Sequence, residues 1–259
     1  MKQIPNLFTL LNLVFGCLAI VFILQTGEMI VLVQPDGFTA VNLPEKLTWG
    51  ALFIFAAAIV DFLDGFVARI FKATSNMGAQ LDSLADVVSF GVAPGLIIYQ
   101  LLRIGFAQQP GGLNVSIIWL LPAFIIPCAA AWRLAKFNLD AEQQTSFKGL
   151  PTPATGLLIA SIPLISWYEY FGIQRIFINQ WVLYLLIALL SYLMVSNVPL
   201  MGLKFKDYSY QNNSPKYFLL ILSAIAIVTF AVMKMIWLAV PAIFVFYLVL
   251  SLIPKNKLT

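Results

Sequence analysis

The chain has 259 residues; 61% are hydrophobic, 10% are charged, and the net charge is +4. Soluble domains carry about 25% charged residues, so the composition excludes an ordinary soluble protein and points to a membrane. Histidine is absent, which removes histidine-based general-base, triad and zinc chemistry.

Eight apolar stretches approach the ~20 residues needed to cross a bilayer. The first, 5–25, is preceded only by Lys2. It is too long for a signal peptide and lacks a clear small-residue cleavage site, so a mature helix is expected. Further stretches follow at 47–70, 83–103 and 114–136. The stretch 151–171 contains Pro151, Pro153 and Pro163 and is a candidate for a kink. The last three are 178–199, 215–234 and 236–253, and only Lys234 and Met235 separate the final pair. The longest polar connections are 26–46, 137–150 and 201–214. The expected fold is all-α: one polytopic transmembrane helical bundle over 1–259 with about eight spans. Six core spans plus a C-terminal helical pair describe the same topology.

Cys17 and Cys128 both lie in apolar runs and are expected to be small core residues rather than a disulfide framework. Trp49, Trp119, Trp132, Trp167, Tyr168, Trp181 and Trp237 fall near span ends, the pattern of an interfacial belt.

The basic residues set the orientation. With the N-terminus in the cytoplasm and the spans alternating, eleven fall on the cytoplasmic side: Lys2, Arg69, Lys72, Arg133, Lys136, Lys148, Lys204, Lys206, Lys216, Lys255 and Lys257. Four fall outside: Lys46, Arg103, Arg175 and Lys234. That bias predicts cytoplasmic N- and C-termini.

Four of the acidic residues sit in the wrong solvent. Asp61, Asp64, Asp82 and Asp86 lie in or beside the second and third apolar stretches. Asp61 and Asp64 are i and i+3, Asp82 and Asp86 are i and i+4, so each pair shares a helix face. The short connection near Lys72–Met77 makes the two helices antiparallel neighbours, and their acidic faces can meet. A charged aspartate near the bilayer centre costs roughly 2.5–3.5 kcal/mol. Cations, protonation or basic partners can offset that cost. Only Arg69 and Lys72 are near in sequence, too few for four charges. Hard carboxylate oxygens without histidine or cysteine suit a divalent cation better. Two such ions would balance four carboxylates, and ions about 3.5–4 Å apart commonly serve displacement at phosphorus. Gly65, Ala68 and Gly78 leave room for a phosphorylated ligand near the backbone, or allow tight helix packing. Gly91, Pro94 and Gly95 are expected to loosen the third helix. A charge network that only orders helices, and a proton or cation pathway, are the rival readings of the acidic cluster.

From Asp61 to Asp86 the residues form D-x2-D-G-x2-A-R-x8-G-x3-D-x3-D. This resembles the signature of the CDP-alcohol phosphotransferase family, with Asp61, Asp64, Gly65, Ala68, Arg69, Gly78, Asp82 and Asp86 filling every fixed position. The runs LDSLADVVSFGVAPG (81–95), WRLAKFN (132–138) and FKGLPTPA (147–154) are similar to its phosphatidylserine synthase branch. IPNLFTLLNL (4–13) also looks family-like.

The resemblance implies an enzyme that displaces CMP from CDP-diacylglycerol by the hydroxyl of L-serine. It implies Asp61, Asp64 and Asp82 as metal ligands, with Asp86 as general base and also near a metal. The metal is expected to be Mg²⁺ or Mn²⁺, as two ions. Asp61, Asp82, Gly65, Ala68, Arg69 and Gly78 are expected at the CDP moiety. Arg133 is expected to grip the serine carboxylate in bidentate fashion, helped by Lys136, Asn138 and Lys148; snorkelling anchors are the bland alternative. Asn6 and Thr9 share a face of the first span and are candidates to reach the site. No G-x4-G-K-[ST] motif occurs, so the usual ATP cradle is missing. Other acceptors, such as glycerol 3-phosphate or inositol phosphate, and an ion or solute transporter are the competing functions. Expected partners are the two substrates, the lipid bilayer and a second copy in a homodimer, with no nucleic acid. The active site is expected to face the cytoplasm.

Overall fold

The computed structural model describes residues 4–25, 32–33, 39–40, 45–70, 75–109, 111–139, 147–168, 170–202 and 210–252. The side chains of Ala68, Arg69 and Lys148 lie outside that description, as do Lys2, Lys72, Lys204, Lys206, Lys255 and Lys257.

The fold is an all-α bundle. Helix α1 (Ile4–Leu24) is followed by α2 (Glu45–Ile70), with a two-residue bridge between β1 (Leu32–Val33) and β2 (Thr39–Ala40) in the connection. Helix α3 (Asn76–Asp86) opens at Ser75, whose hydroxyl accepts the Gly78 N–H at 3.0 Å. This N-cap satisfies one of the helix's orphan donors and starts the third span seven residues before the apolar stretch does. A π turn, Val87–Val92, joins α3 to α4 (Ala93–Ala107), so that 76–107 is one continuous rod. Its cause is Pro94. Proline has no N–H and its ring clashes with the carbonyl four residues back. The helix widens instead, and the Ala93 N–H reaches five residues back to Val88 O. The expected loosening at Gly91–Gly95 thus takes the form of a π turn.

The fourth stretch is less regular than expected. Gly111 adopts a left-handed φ of 74°, and 3₁₀ turns at Gly112–Asn114, Ile117–Trp119 and Leu121–Phe124 precede α5 (Ile125–Leu139). Pro122 falls in the last of these turns, where its missing donor costs least. Helix α6 (Thr152–Trp167) starts with Pro151 as N-cap and Pro153 in its first turn, and runs on through Pro163. The short α7 (Gln174–Phe177) leads to α8 (Gln180–Val195). Strand β3 (Phe147–Lys148) pairs antiparallel with β4 (Pro199–Leu200), which docks the segment before α6 on the end of α8. Helix α9 (Tyr210–Val232) and α10 (Ala239–Leu252) complete the chain. They are separate helices, because Lys234 takes a left-handed φ of 59° between them.

Four helices, Pro5–Leu24, Glu45–Val67, Asn76–Ala107 and Asn213–Val232, are each long and apolar enough to cross a membrane. Thr152–Trp167, Gln180–Val195 and Ile236–Leu252 are shorter apolar helices. Two sets of hydrogen bonds mark opposite ends of the bundle. At one, Thr9 meets Asp64, Arg133 meets Thr152, Lys136 meets Asn197 and Tyr247 meets Met201. At the other, Gln100 Nε2 donates to Ile23 O, Gln109 Nε2 to Gln180 Oε1, and Tyr184 Oη to Trp119 O. Helices α1 and α2, the rod 76–107, α5, α6 and α8 therefore alternate in direction.

The rod 76–107 forms the centre: 67% of its apolar window is buried, against 11% for α9, which faces outward. Phe90, Ile97, Ile98, Leu101 and Leu102 are fully enclosed. Cys17 and Cys128 are exposed free thiols, correcting the expectation that they are core residues. Lipid tails are as apolar as a core, so an apolar run does not reveal which of its residues face inward.

Gly156 of α6 lies against Phe90, and a Cβ there would stand 3.0 Å from the Phe90 backbone and Cβ. Gly65 of α2 has nothing within 4 Å of the same position. Gly156→Leu is expected to destabilise by about 1–3 kcal/mol through overpacking. Gly65→Ala should leave stability unchanged or raise it by up to about 1 kcal/mol. Thermal melts of the two variants in detergent, beside the wild type, check the contrast.

Candidate active site

The acidic faces of α2 and α3 do meet. Carboxylate oxygens of Asp61, Asp64 and Asp82 lie within 4.8 Å of one another. Asp61 and Asp82 are within hydrogen-bonding reach of each other. Asp86, one turn further along α3, is buried and outside that three-oxygen group, yet it feels the charges of Asp61, Asp82 and Asp64. Asp64 is likewise buried, while Asp61 and Asp82 are half-buried.

Helix α1 supplies the neutral donors. Thr9 Oγ1 donates to Asp64 Oδ2 at 2.9 Å, and Asn12 Nδ2 donates to Asp86 Oδ1 at 3.4 Å. Both residues are buried. A Cβ on Gly78 would lie 3.2 Å from Asn6 Oδ1, which puts Asn6 over the first turn of α3. Asn6, Thr9 and Asn12 thus form a polar stripe at three-residue spacing that covers the acidic faces. Ser89 Oγ in the π turn donates to Asn12 O at 3.1 Å. Gly16 permits this approach, since a Cβ there would collide with the Ser89 hydroxyl.

The cations of α5 divide. Arg133 is buried, its Nη1 donates to Thr152 Oγ1 at 2.8 Å, and it lies within electrostatic reach of Asp86 and Tyr247. Asn138 Nδ2 donates to Ser83 Oγ at 2.9 Å, beside Asp82. Lys136 turns elsewhere, with Nζ donating to Asn197 Oδ1 at 2.6 Å just past α8. The Lys148 backbone is held in the β3–β4 bridge. Gly65 is exposed with open space beside it, and Gly78 sits at the α3 N-terminus. Ala68 and Arg69 belong to the last turn of α2.

Sequence reading missed Asn12, Ser89, Thr152 and Tyr247. Asn12 had a signal, since it extends the Asn6–Thr9 spacing by three inside an apolar helix. Thr152 lies in the family-like run 147–154 without standing out from it, and Tyr247 had no signal, because its contacts come from chain segments far apart.

The donor set fits a hard divalent cation: three carboxylates converge and, among the described residues, no softer ligand joins them. The chain matches the model of the CDP-alcohol phosphatidyltransferase family over residues 2–193, and it belongs to that family. This is a family of integral membrane proteins that generally depend on a divalent metal. A CDP-diacylglycerol–serine O-phosphatidyltransferase of Helicobacter pylori is 33% identical over 180 residues, covering 68% of each chain. One of Mycobacterium tuberculosis is 30% identical over 255 residues, covering 96% of this chain and 76% of the relative. One of Saccharomyces cerevisiae is 39% identical over 131 residues, covering 47% and 44%.

Groups that orient metal-binding carboxylates typically change metal affinity or activity by about 10–100-fold when removed. Thr9→Val should therefore weaken Mn²⁺ binding by at least about tenfold, while Thr9→Ser, which keeps the hydroxyl, stays near wild type. Mn²⁺ titration followed by electron paramagnetic resonance measures both.

Proposed function

We propose that this protein transfers the phosphatidyl group of CDP-diacylglycerol to L-serine, giving phosphatidylserine and CMP. The observation that carries the reading is the convergence of Asp61, Asp64 and Asp82 next to the buried Asp86, in a chain whose relatives bear that activity in their names.

Asp61, Asp64 and Asp82 would hold Mg²⁺ or Mn²⁺, as two ions, with Asp86 near a metal. Bound there, the metal would neutralise the diphosphate and stabilise CMP as it leaves. Asp61 and Asp82, with Gly65, Ala68, Arg69 and Gly78, line the CDP end; the open space beside Gly65 leaves room for it. Asp86 accepts the proton of the serine hydroxyl. The freed oxygen bonds to the phosphorus that bears the diacylglycerol, and the bond from that phosphorus to the CMP oxygen breaks. Asn12 and Ser89 hold Asp86 and its surroundings in place. Arg133 binds the serine carboxylate, and burial beside Thr152 keeps its guanidinium oriented. Asn138, Lys136 and Lys148 would assist at the carboxylate or phosphate, with Lys136 engaged by Asn197.

The eleven-to-four distribution of basic residues supports a cytoplasmic site and cytoplasmic termini. Residues 1–259 are read as one domain, a reading supported by the Tyr247 hydrogen bond to Met201 O at 3.2 Å, which ties α10 to the segment after α8. A homodimer belongs to the same reading.

Purified protein with Mg²⁺ or Mn²⁺ is expected to release CMP from CDP-diacylglycerol when L-serine is added. Release with glycerol 3-phosphate or inositol phosphate and none with serine would move the activity to another acceptor. Liposome flux without CMP release would replace the enzyme by a transporter. Asp86→Asn should keep its fold and lose about 10²–10⁴-fold in turnover, the usual worth of a general base; turnover near wild type removes Asp86 from that role.

A further inference from the structure

The proposed reaction gives Asp86 the serine hydroxyl and Arg133 the serine carboxylate, and leaves the ammonium group unassigned. Among the described residues, Asn12 Oδ1 and Arg133 Nε are buried near Asp86 with no hydrogen-bond partner. They are opposite in kind, one an acceptor and one a donor. Asn12 is fully buried. An ionised carboxylate only accepts hydrogen bonds, so the Asn12 amide must present its NH₂ to Asp86 Oδ1, as it does at 3.4 Å. That fixes Oδ1 on the other side of the amide. Ser89, which donates to the Asn12 carbonyl, fastens this turn of α1 to the π turn. The backbone at Asn12 is therefore pinned by Ser89 and the side-chain NH₂ is taken by Asp86, while the side-chain oxygen Oδ1 stays bare. Buried acceptors are almost always satisfied, and a bare one calls for a donor.

We propose that Asn12 Oδ1 receives an N–H from the ammonium group of the amino-acid acceptor. This rests on the serine reading above. In serine the amine is carried on the carbon next to the hydroxymethyl group. A hydroxyl on Asp86 therefore brings the ammonium to a side chain adjoining Asp86, and Asn12 is that side chain. Arg133 Nε supplies the donor for the carboxylate. A bare acceptor next to Asp86 and a bare donor within its electrostatic reach complement a zwitterion that also carries a hydroxyl. Acceptors without an amine leave Oδ1 unsatisfied, which would discriminate against them.

Steady-state kinetics of Asn12→Ala and Asn12→Asp, with CDP-diacylglycerol and L-serine varied separately, test the assignment. Asn12→Ala should raise the KM for serine by about tenfold or more, the worth of a lost charge-assisted hydrogen bond. Its KM for CDP-diacylglycerol should stay within about twofold of wild type, which also reports a folded site. Asn12→Asp keeps an acceptor oxygen but sets a second carboxylate against Asp86. It should lose turnover while its serine KM stays within about threefold of wild type. An unchanged serine KM in Asn12→Ala, with the whole loss in kcat, overturns the proposal and leaves Asn12 only as a support for Asp86. If Asn12→Ala does not fold, a tenfold rise of serine KM in Asn12→Asp overturns it. Wild-type protein that releases CMP with another alcohol and not with serine removes the serine reading itself, and this inference with it.

Discussion

Four carboxylates in a low-dielectric bundle are the constraint to which the rest of this structure answers. Each would cost roughly 2.5–3.5 kcal/mol if left charged and alone near a bilayer centre. Sharing one site lets them share what offsets that cost. Helices α2 and α3 therefore pair face to face, bringing three carboxylates within 4.8 Å. Helix α1 lies over them with Thr9 and Asn12 as donors, spending two of its few polar side chains there. The donor set is one that suits a hard divalent cation, since oxygen-only ligands of this charge favour no softer metal.

Holding α1 that close requires the π turn. Pro94 cannot continue the α-helical ladder, and the helix widens just after Asp86. The widened turn carries Ser89 to the Asn12 carbonyl, and Gly16 clears the space. Phe90 in the same turn packs against Gly156 of α6. One proline thus couples the position of the acidic helix to two neighbours. Single π turns are frequent at functional sites for this kind of reason.

A second set of contacts organises the end of the bundle around Arg133. The segment after α8 receives Lys136 at Asn197, the β3 strand at Pro199 and Leu200, and Tyr247 at Met201. Gly149, with φ 77°, lets the turn before α6 donate its N–H to Val198 O at 2.9 Å. These bonds set the first turn of α6, and with it Thr152, the partner of Arg133. The family match ends at residue 193, yet α10 contributes Tyr247 to the surroundings of Arg133. Helix α10 thereby belongs to the electrostatic surroundings of this arginine.

Much of this was legible in the chain. Hydropathy alone placed the helical spans, because a membrane demands long apolar runs whose backbone is satisfied internally. The spacing of Asp61, Asp64, Asp82 and Asp86 put each pair on one face, because helical geometry fixes which side chains are neighbours. The family signature marked the same segment. What a helix faces was not legible: Cys17 and Cys128 point outward, since lipid and core are equally apolar. The irregular start of α5 and the early start of α3 depended on local turn chemistry at Pro122 and Ser75. Above all, the sequence could state that four carboxylates need partners, and only the tertiary structure could decide which. Asn12 and Asp86 are 74 residues apart, Arg133 and Thr152 are 19 apart, and such pairings are set by helix packing rather than by any local pattern.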